Sequence, residues 1–151
     1  MTGRRPLDAG GTMSDDAPRF SALIVDDNFA LREAIARSLA HDGWDVTTAP
    51  DGLDGLEAVR SHRFDVVITD VYMPGRGGLW LWKEALALRP ELRGKFVFMS
   101  TEPLPEPPSG AVFMVKPLSL ATLKDEVQSI VRRAEGAKVP ARESSALQNQ
   151  T

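Results

Sequence analysis

Residues 64–74 read FDVVITDVYMP, an apolar run that ends in the carboxylate of Asp70. A short run rich in β-branched residues predicts a buried β-strand. The chain beyond it cannot continue the strand, because Pro74 and the glycine-rich residues 75–78 favour a turn. The end of this strand therefore leaves a carboxylate bare, in the position where a nucleophile would sit.

Other apolar runs also end in polar residues. The run SALIV is followed by a carboxylate pair, Asp26 and Asp27, and the run AVFMV is followed by Lys116. A further run, FVFM, is followed by Ser100. Because parallel strands bring their carboxyl ends to one edge of a sheet, we expect these four groups to converge there with Asp70.

Helix-like segments alternate with these strands. Leu31, Ile35 and Leu39 recur every four residues, which is the stripe of an amphipathic helix. A second helix is expected over about 51–61, with Leu53, Leu56 and Val59 facing inward. Strands that are apolar on both faces and alternate with helices predict a parallel sheet covered on both sides.

The third and last helices are predicted from the same periodicity. The third runs over 79–88, and spacing favours Leu79 and Trp82 as its inward residues. The last runs over about 119–134, with Ser119 as its N-cap.

Composition bounds the remaining possibilities. With 151 residues, 42% of them apolar, the chain can bury one ordinary core. A net charge of −3 with both signs interspersed gives no support for direct nucleic-acid binding. The absence of cysteine excludes disulfides and thiolate chemistry. No apolar run is long enough for a membrane span or a secretory signal, so we expect a cytoplasmic protein.

The expected organisation is one domain with polar extensions. Residues 1–19 lack apolar periodicity and are predicted to form a flexible leader. The domain is predicted over 20–135, and the polar residues 136–151 are predicted to be a disordered tail.

The distribution of these motifs resembles the receiver domain of bacterial two-component response regulators. An acidic pair, an aspartate before Met and Pro, a serine, and a lysine before proline occur in that order after the first, third, fourth and fifth strands. The resemblance covers most of the chain. It implies an α/β fold with a doubly wound, five-stranded parallel sheet in the flavodoxin-like order 2-1-3-4-5, and helices on both faces.

The resemblance also implies a phosphoacceptor site. Clustered carboxylates repel one another unless a cation is present, and Mg²⁺ prefers oxygen ligands. By resemblance, Asp27 and Asp70 bind Mg²⁺ directly, Asp26 acts mainly through water, and the Tyr72 carbonyl adds a backbone ligand. Asp70 would take a phosphoryl group from a sensor histidine kinase or a histidine phosphotransfer protein.

Further roles follow from the same resemblance. Lys116 and Ser100 would each hold a phosphoryl oxygen. Ser100 and the strand-5 aromatic Phe113 would form the switch, and simple core packing is the alternative for Phe113. Pro117 is a candidate for a cis peptide bond, with a trans bond left open. Trp80 stands where a polar residue is usual in the family, which makes it a candidate interaction residue or a side chain tucked under a loop.

One segment departs from the family pattern. Only sixteen positions separate Ser100 from Lys116, and residues 101–108 read TEPLPEPP. Proline removes helical donors and biases the preceding residue towards extended backbone, so the fourth family helix is predicted to be absent or vestigial. The loop over 102–109 is then a candidate output surface.

The function that the sequence favours is a stand-alone phosphoacceptor that signals to a downstream protein. Its only expected chemistry is self-phosphorylation and slow self-dephosphorylation, so we do not expect an enzyme. One alternative is a phosphorylation-independent pseudo-receiver that only binds partners. Another is a metal-dependent phosphatase, which needs a second acid two residues after the nucleophile, where this chain has Tyr72.

Overall fold

The computed structural model describes residues 20–104, 106 and 108–138. The strands of this part are β1 (Ser21–Val25), β2 (Asp45–Ala49), β3 (Val66–Asp70), β4 (Phe96–Ser100) and β5 (Val112–Val115). Its helices are α1 (Phe29–His41), α2 (Gly52–Ser61), α3 (Gly78–Leu88) and α4 (Leu120–Lys138), with a short 3-10 turn at Pro90–Leu92. None of these helices is long and apolar enough to cross a membrane.

The strands form one parallel sheet in the order β2-β1-β3-β4-β5, as predicted. All five residues of β3 are buried, because this strand lies at the centre of the sheet with helices on both faces. Alternate strand residues supply two separate hydrophobic clusters. The first is closed by α2 and α3, and the second by α1 and α4. The predicted doubly wound α/β architecture is therefore confirmed.

Side-chain caps fix the starts of three helices. The Asn28 side chain accepts a hydrogen bond from Leu31 N–H at the start of α1, at 3.0 Å. Asp51 accepts from Asp54 N–H at α2 in the same way. At α4, Ser119 Oγ accepts from Thr122 N–H at 3.2 Å, which confirms the predicted cap. A cap of this kind contributes about 1 kcal/mol.

Two predicted inward residues are wrong. Leu53 is 58% exposed and Leu79 is 38% exposed. The buried stripe of α2 consists of Gly52, Gly55, Leu56 and Val59, and that of α3 consists of Gly78, Leu81 and Ala85. Small residues bring the two helices close to the sheet and to each other, so the larger residues beside the stripes point outward.

The ends of the fold differ from the predicted boundaries in one place. Helix α4 continues to Lys138, so the residues from 136 to 138 are helical rather than part of a tail. The predicted leader over 1–19 and the remaining predicted tail over 139–151 lie outside the described residues.

The connection between β4 and β5 contains no helix within its described residues, 101–104, 106 and 108–111. Leu104 packs against the first hydrophobic cluster and holds this loop to the domain. The loop therefore replaces a helix on this side of the sheet, as its proline content predicts.

Candidate functional site

Three carboxylates meet at the carboxyl edge of the sheet. Asp26 and Asp27 directly follow β1, and Asp70 is the last residue of β3. One carboxylate oxygen from each lies within 4.8 Å of the others. Asp26 is completely buried and Asp70 is 7% exposed, whereas Asp27 is open to solvent. The structure thus brings together the acids that the sequence placed at separate strand ends.

Lys116 lies between two of these acids. Its Nζ donates to Asp26 Oδ2 at 3.0 Å and to Asp70 Oδ2 at 3.2 Å. Its backbone N–H donates to the Ser100 carbonyl at 2.7 Å, which holds the ends of β4 and β5 together. The Lys116–Pro117 peptide bond is cis, one of the two geometries that the sequence left open.

The charges of the site act on each other strongly. Burial raises the pKa of Asp70, and the negative charge of Asp26 raises it further, while Lys116 opposes both effects. Burial alone would lower the pKa of Lys116, but its hydrogen bond with Asp26 and the charges of Asp26 and Asp70 raise the pKa above its usual value. One ammonium group therefore faces three carboxylates, and the site favours a further cation.

This imbalance predicts a pH-dependent stability. The raised pKa of Asp70 in the folded state means that its contribution favours folding fully below the ordinary value of 3.8 and is lost as pH rises through the folded-state pKa. Asparagine imitates the protonated carboxyl at every pH. We expect Asp70→Asn to raise the melting temperature at pH 7 by roughly 3–6 °C, the shift that about 1 kcal/mol gives, and to have little effect near pH 3.5.

Thermal unfolding followed by circular dichroism at several pH values, without divalent ions, measures this effect. Asp125→Asn is the matched control, because Asp125 is exposed on α4. The explanation would be contradicted if Asp125→Asn raised the melting temperature as much as Asp70→Asn, or if Asp70→Asn raised it equally at pH 7 and near pH 3.5.

Asp26 is held in place by several neighbours. Its Oδ1 accepts from Asn28 N–H at 2.8 Å, and its Oδ2 accepts from Lys116. The backbone carbonyl of Asp26 accepts from Arg32 Nη1 at 2.8 Å. Nothing in the sequence marked Arg32 as part of this site, although its position near the start of α1 brings it close to the acidic pair.

The Ser100 hydroxyl contacts the loop that follows β4. Ser100 is completely buried, and its Oγ accepts from Glu102 N–H at 3.1 Å. None of the described hydrogen bonds joins this hydroxyl to Asp70 or Lys116. Strand register places Ser100 one residue beyond Met99, the β4 partner of Asp70, so it lies on the same edge as the acids.

Glycine allows the start of α3 to lie against the backbone of Asp70. Gly78 N–H donates to the Val71 carbonyl at 2.9 Å, and a Cβ atom at position 78 would collide with the Asp70 carbonyl oxygen. Thr69 Oγ1 donates to the same oxygen at 2.9 Å. This contact was not predicted, because a glycine in a turn carries no sign of what lies opposite its α-carbon.

The other candidate residues lie at the periphery. Tyr72 follows Asp70 by two positions, and its side chain is 58% exposed. Phe113 is half-buried against the first hydrophobic cluster, beside its β4 partner Phe98. Trp80 is also half-buried, and the Arg76 guanidinium lies 5.1 Å from its ring centroid. A side chain of the preceding loop thus covers part of the Trp80 ring, and the role of Trp80 as an interaction residue stays a prediction.

Comparison with known families supports the resemblance. The model of the response regulator receiver domain family matches residues 22–103, which is more than half of the chain. This chain belongs to that family. The transcriptional regulatory protein CseB of Streptomyces avermitilis is 33% identical to this receiver over 130 residues, a match that covers 82% of this chain and 54% of CseB. The receiver therefore spans about half the length of this curated relative.

Solved structures with the same fold include other receivers. The receiver domain of the hybrid histidine kinase CckA is 30% identical, with a TM-score of 0.65, and the match covers 73% of this chain and 97% of that one. The response regulator TrrA of Thermotoga maritima, solved with Mg²⁺ and BeF, is 26% identical, with a TM-score of 0.65 and coverage of 74% and 98%.

Proposed function

We propose that this receiver is a phosphoacceptor in a cytoplasmic two-component pathway. It takes a phosphoryl group onto Asp70 from a sensor histidine kinase or a histidine phosphotransfer protein, and it then signals by binding a downstream protein. The observation that carries the proposal is the contact of the nearly buried Asp70 carboxylate with Lys116, beside two further carboxylates at one strand edge. A module that only binds partners has no need of this arrangement.

The residues of the chain suit phosphoryl transfer. A carboxylate oxygen of Asp70 would form a bond to phosphorus while the bond from phosphorus to the donor histidine nitrogen breaks, and the imidazole would leave with the electron pair. The Lys116 ammonium group lies 3.2 Å from Asp70 Oδ2 and would contact a transferred phosphoryl oxygen. The Ser100 hydroxyl would donate a hydrogen bond to a second phosphoryl oxygen. Slow hydrolysis of the acyl phosphate would return Asp70 to its original state, and we propose that the chain acts as a phosphoacceptor rather than as an enzyme.

The donor set fits Mg²⁺. Three carboxylate oxygens within 4.8 Å of one another provide hard ligands, and among the described residues Lys116 forms the ion pairs with them, so negative charge is in excess. We propose that Asp27 and Asp70 hold the ion directly, with Asp26 acting mainly through water and the Tyr72 carbonyl as a backbone ligand. When bound, Mg²⁺ would neutralise charge on the phosphoryl oxygens. The related TrrA protein was solved in complex with Mg²⁺ and BeF, which supports the proposal of Mg²⁺ as the ion.

Intact-mass measurement after incubation with acetyl phosphate and Mg²⁺ tests the proposal. We expect one phosphoryl group per chain, acid-labile and dependent on Mg²⁺. No adduct under any donor condition would favour the pseudo-receiver, and release of many equivalents of phosphate per chain would favour a phosphatase.

The role of Asp27 in metal binding predicts a large loss on its removal. We expect weak Mg²⁺ binding in the absence of phosphate, and at least a roughly tenfold loss of affinity in Asp27→Ala, because removing one carboxylate leaves too little charge to offset dehydration of the ion. Calorimetric titration measures the affinity. Asp125→Ala removes an acid on α4 and is expected to bind like wild type. Unchanged affinity in Asp27→Ala would refute the assignment.

Phosphorylation is predicted to order the loop after β4. The Ser100 hydroxyl can donate to a phosphoryl oxygen while its Oγ continues to accept from Glu102 N–H, which would couple the loop to the site. Prolines lower the entropy that the loop loses when it is fixed. We expect amide exchange to slow about tenfold at Glu102 and to slow over 97–101 and the non-proline residues up to 111, without formation of a helix.

Hydrogen exchange on the free and phosphorylated protein measures this change. Ser100→Ala is expected to remove the slowing at Glu102 while still accepting phosphate, and Leu123 N–H at the start of α4 serves as an internal reference. If α1 or α3 responds while the loop does not, the output surface lies elsewhere.

A further inference from the structure

The guanidinium group of Arg32 lies against the turn that carries the acidic pair. Its Nη1 donates to the Asp26 carbonyl at 2.8 Å, and its central carbon lies 5.2 Å from the centroid of the Phe29 ring. Its Nε is buried and has no hydrogen-bond partner. Leaving a charged donor buried and unpaired is unfavourable, so this placement calls for an explanation.

The hydrogen bond that Arg32 donates to the Asp26 carbonyl affects Asp27, the acid of the site with the fewest contacts of its own. The Asp26 carbonyl belongs to the peptide group that leads to Asp27, so holding this oxygen fixes the direction in which Asp27 leaves the turn. The Asp26 side chain already has two partners, Asn28 N–H and Lys116. No hydrogen bond or ion pair of the described residues involves the Asp27 carboxylate, and its orientation therefore depends on its backbone.

We propose that Arg32 is a positioning residue that fixes the peptide between Asp26 and Asp27 and thereby directs the Asp27 carboxylate towards a divalent cation. The inference rests on the proposed function, because it assigns Arg32 to the same metal site. The Phe29 ring covers the guanidinium and keeps it against the turn. Arg32 does this from outside the cluster, because its hydrogen bond goes to a backbone carbonyl and leaves the carboxylate oxygens free.

Positioning and charge predict opposite effects of removing Arg32. Loss of a positive charge near three carboxylates would strengthen the binding of a cation, whereas loss of a group that orients a ligand weakens it. The sign of the change in Mg²⁺ affinity therefore separates the two roles.

The test uses two substitutions at this position and one matched control. Arg32→Ala removes the hydrogen bond and the charge, and Arg32→Lys retains a charged donor without the planar fork. Arg37→Ala removes the same charge from an exposed position on α1. Calorimetry measures Mg²⁺ affinity, and hydrogen exchange of the metal-free protein measures the Asn28 amide, whose bond to Asp26 Oδ1 reports the order of the turn.

We expect Arg32→Ala to weaken Mg²⁺ binding about tenfold and to speed exchange of the Asn28 amide roughly tenfold. Arg32→Lys should recover part of both losses, and Arg37→Ala should leave the exchange rate unchanged and not weaken Mg²⁺ binding. Equal or tighter Mg²⁺ binding by Arg32→Ala would overturn the proposal. The proposal would also be overturned if the Asn28 amide of Arg32→Lys exchanged at the wild-type rate while its Mg²⁺ affinity were as low as that of Arg32→Ala.

Comparing wild-type protein with Arg32→Ala keeps the failure of this inference distinct from the failure of the proposed function. If wild-type protein binds Mg²⁺ and accepts phosphate while Arg32→Ala matches it in both measurements, only the role of Arg32 fails. If wild-type protein binds no Mg²⁺, the proposed metal site fails and this role fails with it, whatever the exchange rates show about the turn.

Discussion

Asp70→Asn is expected to abolish the phosphoryl adduct, reducing its rate of formation at least 100-fold, as loss of a nucleophile generally does. The substitution leaves the shape of the site almost unchanged. Asparagine has nearly the same shape as aspartate, and its amide oxygen can accept the hydrogen bond that Lys116 now donates to Asp70 Oδ2. The fold and the edge of the sheet should remain in place while the attacking oxygen is lost.

The other acids of the cluster are not expected to replace Asp70. Asp26 is completely buried, and its two oxygens are occupied by Asn28 N–H and Lys116. Asp27 is exposed but is assigned to the metal, and neither residue stands at the end of the central strand. The loss should therefore be complete rather than partial.

Intact-mass measurement of the variant with acetyl phosphate and Mg²⁺ tests this expectation, and peptide mapping locates any residual label. Circular dichroism shows whether the variant is folded. Persistent labelling of the folded variant at another residue would refute the assignment of Asp70.

The strand ends were predictable because their signals are local. Each of the segments that carry Asp26, Asp70 and Lys116 is an apolar run that stops at a charged residue, and parallel pairing brings such ends to one edge. The parallel sheet therefore followed from the alternation of strands and helices, its strand order came from the resemblance to receiver domains, and the two together predicted that the acids lie close to one another. Distances within the cluster required coordinates, because side-chain reach depends on how the strands twist and stagger.

The two residues wrongly predicted to face inward lie on helices whose packing contacts are made by small residues. Leu53 and Leu79 have the hydropathy of core residues, but the faces that pack carry Gly55 and Ala85 instead. A Cβ atom on Gly55 would lie 3.1 Å from side-chain atoms of both Leu81 and Val25, which is a tight contact, so α2 lies close to these residues at its glycine. Hydropathy gives glycine no inward signal, and the prediction therefore selected the larger neighbours.

Arg32 was missed for a different reason. Its partner is a backbone carbonyl, and a sequence does not indicate which arginine reaches back to the turn before its own helix. An arginine near the start of a helix usually keeps its charged group in water. Its buried Nε, its hydrogen bond to the Asp26 carbonyl and its contact with the Phe29 ring distinguish it from the exposed Arg37.

Gly78→Ala is expected to destabilise the fold by about 3 kcal/mol, at the upper end of the cost of overpacking, and to impair phosphorylation as well. The added methyl group would meet the carbonyl oxygen of Asp70, which is backbone in the central strand and cannot move aside as a flexible side chain can. Relief requires either the start of α3 or the end of β3 to shift. Both shifts disturb the residue that carries the nucleophile.

Helix propensity acts in the opposite direction and makes the test sharp. Alanine is favoured over glycine by up to about 1 kcal/mol in a helix, and although Gly78 is the first residue of α3, helix propensity would not produce a loss there. We therefore attribute any loss at position 78 to the collision. Gly136→Ala is the matched control. A Cβ atom there would have nothing within 4 Å, and we expect it to leave stability unchanged or to raise it by up to about 1 kcal/mol.

Urea unfolding of the two variants measures the difference, and the rate of adduct formation under native conditions reports the state of the site. The two substitutions add the same methyl group to a helical glycine, so opposite signs isolate the contact with Asp70. A folded Gly78→Ala variant with the stability and phosphorylation rate of wild type would show that α3 can retreat without moving Asp70. The close approach of Gly78 would then have no role in holding the nucleophile.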